Sequence, residues 1–202
     1  MKYLVPALVL AATTAVGAEP EVVNTNAPEM WRGIVIAPED RCSEYNRRRD
    51  YRYYPSIEPK IVEAQGGDIY SPYEDKYFDS IRETDIEHIV AAAEAHDSGL
   101  CGRTRQERTM FATDLDNLTL ASPQVNRYVK SDKDAADWLP DHNRCWYVKT
   151  VLSVKQKYDL TMDEEERNVI RDTLLECRRT KTPRQMLKCG CAGVSAATAQ
   201  EE

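Results

Sequence analysis

The chain has 202 residues, with 34 acidic against 27 basic side chains, a net charge of −7 and six cysteines. Phosphate affinity rests on Lys and Arg, so this balance excludes nucleic-acid binding by overall charge and leaves only a local basic groove for such a role. The length suits one domain with its own core, and no zinc finger or helix-turn-helix is recognisable.

Lys2 precedes an uncharged apolar run from Tyr3 to Val16, and Val16-Gly17-Ala18 supplies small residues before Glu19. This pattern predicts a signal peptide over residues 1–18, cleaved after Ala18. The run is shorter than the about 20 apolar residues of a membrane span. The mature chain is therefore expected to be secreted or periplasmic, with no stable membrane association. In an oxidising compartment Cys42, Cys101, Cys145, Cys177, Cys189 and Cys191 predict up to three disulfides, with the pairing left open.

Residues 19–40 are polar and proline-containing, which predicts an extended lead-in. Arg41, Arg47, Arg48, Arg49 and Arg52 then interleave with Tyr45, Tyr51, Tyr53 and Tyr54. Arginines can clamp phosphates and tyrosines can stack on bases; the same cluster also reads as a solvated, salt-bridged surface. Residues 56–64 predict a helix capped by Ser56 and stopped at Gly66-Gly67, followed by loop composition over 68–84. A strand is predicted over 85–90, a helical turn over 91–95, a charged connector over 102–107 and a buried segment from Met110. A second strand is predicted over 115–120. Ser122-Pro123 starts a helix expected to reach about Asp137. A further helix covers 144–158, with Tyr147, Val151, Val154 and Tyr158 on one face. Thr161-Met162-Asp163-Glu164 matches a capping box, opening a last helix that presents Val169, Ile170, Leu174 and Cys177. One domain is expected over 19–177, and a partly disordered tail over 178–202.

Chemistry concentrates in Asp85-Ile86-Glu87-His88-Ile89-Val90 and Asp116-Asn117-Leu118-Thr119-Leu120, followed by Asn126. Phosphodiester hydrolysis needs a base for water, a cation against the growing phosphorane charge and stabilisation of the leaving oxygen. His88 suits the base, because an ordinary imidazole is partly neutral near neutral pH. Glu87 and Asn126 offer hard oxygens suited to Mg²⁺. Asn117, on the neighbouring strand, is expected to accept from an imidazole N–H and fix the tautomer of His88. Asn117-Leu118-Thr119 is also a glycosylation sequon, expected to be unused between core leucines. His96 and His142 have no partner at metalloprotease spacing and are expected at the surface.

These segments resemble the HNH branch of the ββα-metal endonucleases, closest to the HNH-like domains of modification-dependent restriction enzymes and to the HNH domain of CRISPR effector nucleases. The resemblance covers about residues 85–138. It implies an α+β fold with a ββα-metal core wrapped by helices and stapled by disulfides. The activity it implies is a metal-dependent endonuclease; the signal-like N-terminus makes it an exported one, and with no recognition module it is expected to act on nucleic acid, DNA before RNA, with low sequence specificity. The implied cofactor is a divalent cation, Mg²⁺ first and Mn²⁺ next. Glu87 and Asn126 would be metal ligands with Asp85 as fallback, His88 the general base and Asn117 its orienting partner. Lys130, Arg127, Arg47 and Arg48 would meet the nucleic acid. The chain departs from many relatives in having Glu87 rather than Asp or His, and Ala91 where a proline is common. The other reading is an exported nucleic-acid-binding or effector protein that keeps the scaffold without turnover.

Overall fold

The computed structural model describes residues 27–180; the predicted signal peptide, Cys189, Cys191 and the tail from 181 onward lie outside the described residues. A short hairpin comes first, β1 (Met30–Trp31) and β2 (Ile34–Val35). It turns through Arg32 and Gly33, both at positive φ, as a two-residue hairpin turn demands. Then come α1 (Arg47–Asp50), α2 (Glu58–Ala64), β3 (Tyr70–Ser71) and β4 (Lys76–Tyr77). The central part holds β5 (Asp85–His88), α3 (Ala92–Asp97), α4 (Arg105–Ala112) and β6 (Leu118–Ala121). Two long helices follow, α5 (Arg144–Lys157) and α6 (Glu164–Arg179). The architecture is α+β, with three antiparallel strand pairs among the described residues.

Strands β5 and β6 form the pair that matters for the site, in the register Asp85↔Ala121, Ile86↔Leu120, Glu87↔Thr119 and His88↔Leu118. Such a pair is marginal alone. On one side Ile86, Leu118 and Leu120 pack with Ile61 of α2. The larger core gathers Ile89 and Val90 with Phe111 of α4, Tyr147, Val148 and Val151 of α5, and Ile170 of α6. Disulfides join Cys42 to Cys101 and Cys145 to Cys177; the second ties the start of α5 to the end of α6, making the two helices an antiparallel pair.

Local structure departs from the sequence expectations where side chains compete with the backbone pattern. Leu115–Asn117 is a 3₁₀ turn, not the start of the strand, because the Asp114 carboxylate accepts from the Asp116 N–H at 3.1 Å and holds the chain in a turn. The charged connector is the first turn of α4, capped by a reciprocal Thr104–Glu107 box that the Thr-x-x-Glu spacing already contains. The helix after Ser122 is a π-helix over Val125–Lys130 and stops at Ser131, which has positive φ, well short of Asp137. Ser122 does act as its cap, accepting from the Val125 N–H at 3.3 Å. Residues 68–84 carry β3 and β4, and the last helix continues to Arg179. His96 is not a surface residue: it is fully buried. Its Nδ1 meets the Tyr51 hydroxyl and its Nε2 the Ser43 carbonyl, both at 2.9 Å. His142 is exposed.

The buried polar centre of the helical half is Lys155. Its ammonium lies against Glu94 of α3 and 2.6 Å from Glu166 of α6, and donates to the Thr161 carbonyl at 3.0 Å. Burial alone would push an ammonium toward neutrality, but the two carboxylates raise its pKa instead. This is a structural ion cluster that fixes α3, α5 and α6 against one another.

Candidate active site

An open cavity of about 660 Å³ lies over β5. Its wall includes Asp85, Glu87 and His88 from the strand, Asn126 and Arg127 from the π-helix, and Arg41, Tyr45, Arg47 and Tyr53 from the N-terminal segment. The sequence-predicted acids, base and second asparagine therefore meet at one place, although Glu87 and His88 alternate along the strand. Both are buried, at 3% and 5% exposure.

His88 is held by position rather than by the expected partner. Its Nε2 donates to the Ala112 carbonyl at the end of α4, at 3.0 Å. A carbonyl can only accept, so the proton sits on Nε2 and Nδ1 is the nitrogen with the free lone pair. Among the described residues Nδ1 makes no hydrogen bond. The ring stacks parallel to Phe111, with centroids 6.2 Å apart, and tilts against Tyr53. Burial lowers its pKa to about 4, with Arg47 and Lys130 acting in the same direction and the bond to Ala112 opposing. The imidazole is neutral at pH 7.

Asn117 does not touch the imidazole, contrary to the expectation. Its Oδ1 accepts from the Val90 N–H at 2.8 Å, its Nδ2 donates to the Val90 carbonyl at 3.2 Å, and its own carbonyl accepts from the Ile89 N–H at 2.9 Å. The 3₁₀ turn has moved the side chain past the end of the ladder. There it continues the hydrogen bonding of β5 by two residues and fixes the strand that carries His88. The sequon is closed, since Asn117 is fully buried.

Lys130 is a second correction. It is fully buried rather than a surface lysine available to a phosphate. Its Nζ lies 2.9 Å from Glu87 Oε1 and donates to the His88 carbonyl at 3.0 Å. Glu87 Oε1 gains a charge partner but no aligned hydrogen bond, so the contact is an ion pair. Burial holds the Glu87 carboxyl above its ordinary range, and Lys130 pulls it back down.

Asp85, at 20% side-chain exposure, is gripped by Arg127 through Nε and Nη2, both at 2.7 Å, and receives Asn126 Nδ2 at 3.2 Å. The wide π-turn lets Asn126, Arg127 and Lys130 all address β5; such turns occur often at functional sites. Arg47 donates to the Tyr53 hydroxyl at 3.0 Å and lies over its ring. Arg41 is paired with Asp97 through Nε at 2.7 Å and Nη2 at 2.5 Å. Arg48, expected beside them, is exposed on α1 outside the cavity wall. The Ala112 carbonyl that sets the His88 tautomer is the contact sequence reasoning missed. A backbone acceptor leaves no residue-type signal.

The donor set fits a hard divalent cation. Asp85, Glu87 and the Asn126 amide supply oxygens along one cavity wall, although Glu87 Oε1 is already paired with Lys130. Mg²⁺ commonly takes one or two carboxylates and keeps several waters, so three His, Cys or carboxylate ligands are not required. No such triple occurs among the described residues.

No solved structure matches the chain. An "Uncharacterized secreted protein" of Arthroderma benhamiae is 30% identical over 118 residues, which is 56% of this chain. The match spans 57% of that relative's length. The family model described as GmrSD restriction endonucleases, C-terminal domain, matches residues 41–173. That span takes in α1, the whole β5–β6 site and most of α6, and on it the chain belongs to the family of GmrSD restriction endonuclease C-terminal domains.

Proposed function

We propose that the chain is an exported, metal-dependent endonuclease of the HNH type, cutting nucleic acid through a water activated by His88. The observation that carries this reading is the state of His88. It is neutral, its proton is committed to the Ala112 carbonyl through Nε2, and its ring lines a cavity shared with three hard-oxygen side chains and three arginines. The strand–strand–helix order of β5, β6 and the π-helix supports a ββα-metal core. Membership in a restriction-endonuclease family supports nucleic acid as substrate. The secreted relative, the signal-like N-terminus and the two disulfides support export.

Asp85, Glu87 and Asn126 would hold the cation, Mg²⁺ or Mn²⁺, which when bound offsets charge on the phosphate and on the departing oxygen. His88 Nδ1 takes a proton from water as its oxygen attacks phosphorus and the P–O3′ bond breaks, leaving a 5′-phosphate and a 3′-oxyanion that takes a proton from solvent to become the 3′-hydroxyl. Arg41, Arg47 and Arg127 hold flanking phosphates, and Tyr45 and Tyr53 offer aromatic surface to bases. Asn117 positions His88 through the Val90 backbone. The low specificity proposed follows from a groove whose charged groups all suit the backbone.

The test is digestion of plasmid DNA and of RNA, with Mg²⁺ or Mn²⁺ and with EDTA. Metal-dependent nicking that falls by about 10²-fold or more in His88→Ala, with oligonucleotide binding retained, supports the assignment; wild-type nicking by His88→Ala removes it. One observation favours a non-catalytic binding module: both acids beside His88 already carry a cationic partner, Arg127 and Lys130. Inert protein that still retards DNA would establish that reading instead.

A further inference from the structure

The two acids differ in how firmly their cations are held. Lys130 and Glu87 are both sealed, with side-chain exposures of 0% and 4%, and the lysine is also bonded to the His88 carbonyl. Arg127 is different. It is 58% exposed, stands on the cavity rim and has Asp85 as its carboxylate partner. Asp85 is fixed by its place in the β5–β6 ladder, whereas a long, solvated guanidinium can leave an exposed ion pair at little cost. Both Asp85 oxygens are nevertheless taken, and Asn126 turns its amide nitrogen toward one of them. In this arrangement the arginine occupies the carboxylate that a cation would need.

We propose that Arg127 is a transferable ligand: it neutralises Asp85 until a divalent cation displaces it, and the released guanidinium then grips a phosphate of the nucleic acid. This rests on the site reading above and deepens it. The guanidinium and the cation are like charges competing for one carboxylate, so they exclude each other there. A phosphodiester removes the conflict, since its oxygens accept the guanidinium fork in the same bidentate way as a carboxylate. Cation and nucleic acid therefore bind cooperatively, and linkage makes the effect reciprocal. Asn126, freed from Asp85 at the same moment, can present its oxygen rather than its nitrogen.

The experiment measures binding, not turnover, on the whole protein. Mn²⁺ is titrated calorimetrically without nucleic acid, and a fluorescent phosphorothioate oligonucleotide, which resists cleavage, is titrated by anisotropy in EDTA and in Mn²⁺. Arg127→Ala should bind Mn²⁺ about fivefold or more tightly than the wild type, the lower end of typical couplings. Its oligonucleotide affinity should match the wild type in EDTA and fall below it in Mn²⁺. Arg127→Lys, a point charge without the fork, should lie between. Unchanged or weaker Mn²⁺ binding by Arg127→Ala would overturn the proposal. So would an equal loss of oligonucleotide affinity with and without the cation, which marks a plain phosphate contact, or no Mn²⁺ uptake by either protein. A chain that shows this linkage but cuts nothing refutes the nuclease reading alone; one that cuts without it refutes only the transfer.

Discussion

Replacing Lys130 with Met separates a structural lysine from a phosphate-binding one. The side chain is fully buried, 2.9 Å from Glu87 Oε1 and 3.0 Å from the His88 carbonyl. Methionine fills similar volume but leaves the Glu87 carboxylate without a counter-charge in a sealed site. Breaking a buried pair from one side costs about 3–5 kcal/mol, which for a domain of this size lowers Tm by about 10 °C. The cost should depend on pH. Without Lys130, burial raises the Glu87 carboxyl further above its unfolded value, so the penalty is present at neutral pH and shrinks as pH falls toward that unfolded value and the group protonates in both states. Guanidinium unfolding followed by tryptophan fluorescence at pH 7 and pH 5 reads this directly. Adding Glu87→Gln should recover part of the loss, by removing the charge that was stranded. A stability change under about 0.5 kcal/mol, the usual size for a surface substitution, with binding of nucleic acid reduced, would refute the buried pair and restore the sequence reading of Lys130 as a phosphate contact.

Asn117→Ala should destabilise the protein by about 2–4 kcal/mol, because it strands the buried N–H and carbonyl of Val90; urea unfolding measures it, and a neutral result would deny Asn117 its role as a backbone clamp. Reduction of the disulfides, whose partners are 59 and 32 residues apart, should cost about 4 kcal/mol each on the chain-entropy account, read as a large drop in Tm with dithiothreitol; an unchanged Tm would contradict it. Cleavage should keep its rate below pH 6.5 and lose it only toward pH 4, since His88 protonates near 4. The same shift contributes about 3 kcal/mol of stability, fully present above the unfolded value of about 6.5 and lost as pH falls toward 4. An acid limb centred at 6.5 would place His88 in water rather than under Tyr53 and Phe111.

Local signals carried much of this architecture. The Ser122-Pro123 start and the apolar face of α5 are written in adjacent residues. So is the order of Asp85, Glu87, His88, Asn117 and Asn126, of which all but Asn117 line one cavity. By contrast, α6 is capped by Asp163, which accepts from the Glu166 N–H at 2.7 Å, and not by Thr161 as the capping-box pattern predicts. What failed to read from sequence is what depends on partners far along the chain. His96 is an ordinary polar residue until Tyr51 and Ser43, about fifty positions away, close over it. Asn117 looked like a strand residue because Leu115, Leu118 and Leu120 gave apolar flanks. Yet the Asp114 side chain wins the competition for the backbone and makes a turn, as short acidic residues do. The six-residue π-helix was invisible for a similar reason, since its apolar and polar positions also satisfy an ordinary helical period over one and a half turns.

The π-turn explains why the site needs charge from so short a segment. Asn126, Arg127 and Lys130 deliver one amide and two cations to a strand end that carries Asp85 and Glu87. Without Lys130 the buried Glu87 carboxylate would sit beside an imidazole with no counter-charge, and burial would push it further toward its protonated form. The two cations are held differently. Lys130 is spent inside the fold, where its loss costs stability. Arg127 is held at the rim, where its loss should change what binds. A single six-residue segment thus divides between building the site and operating it, and the variants Lys130→Met and Arg127→Ala should divide in the same way, the first in unfolding and the second in cation affinity.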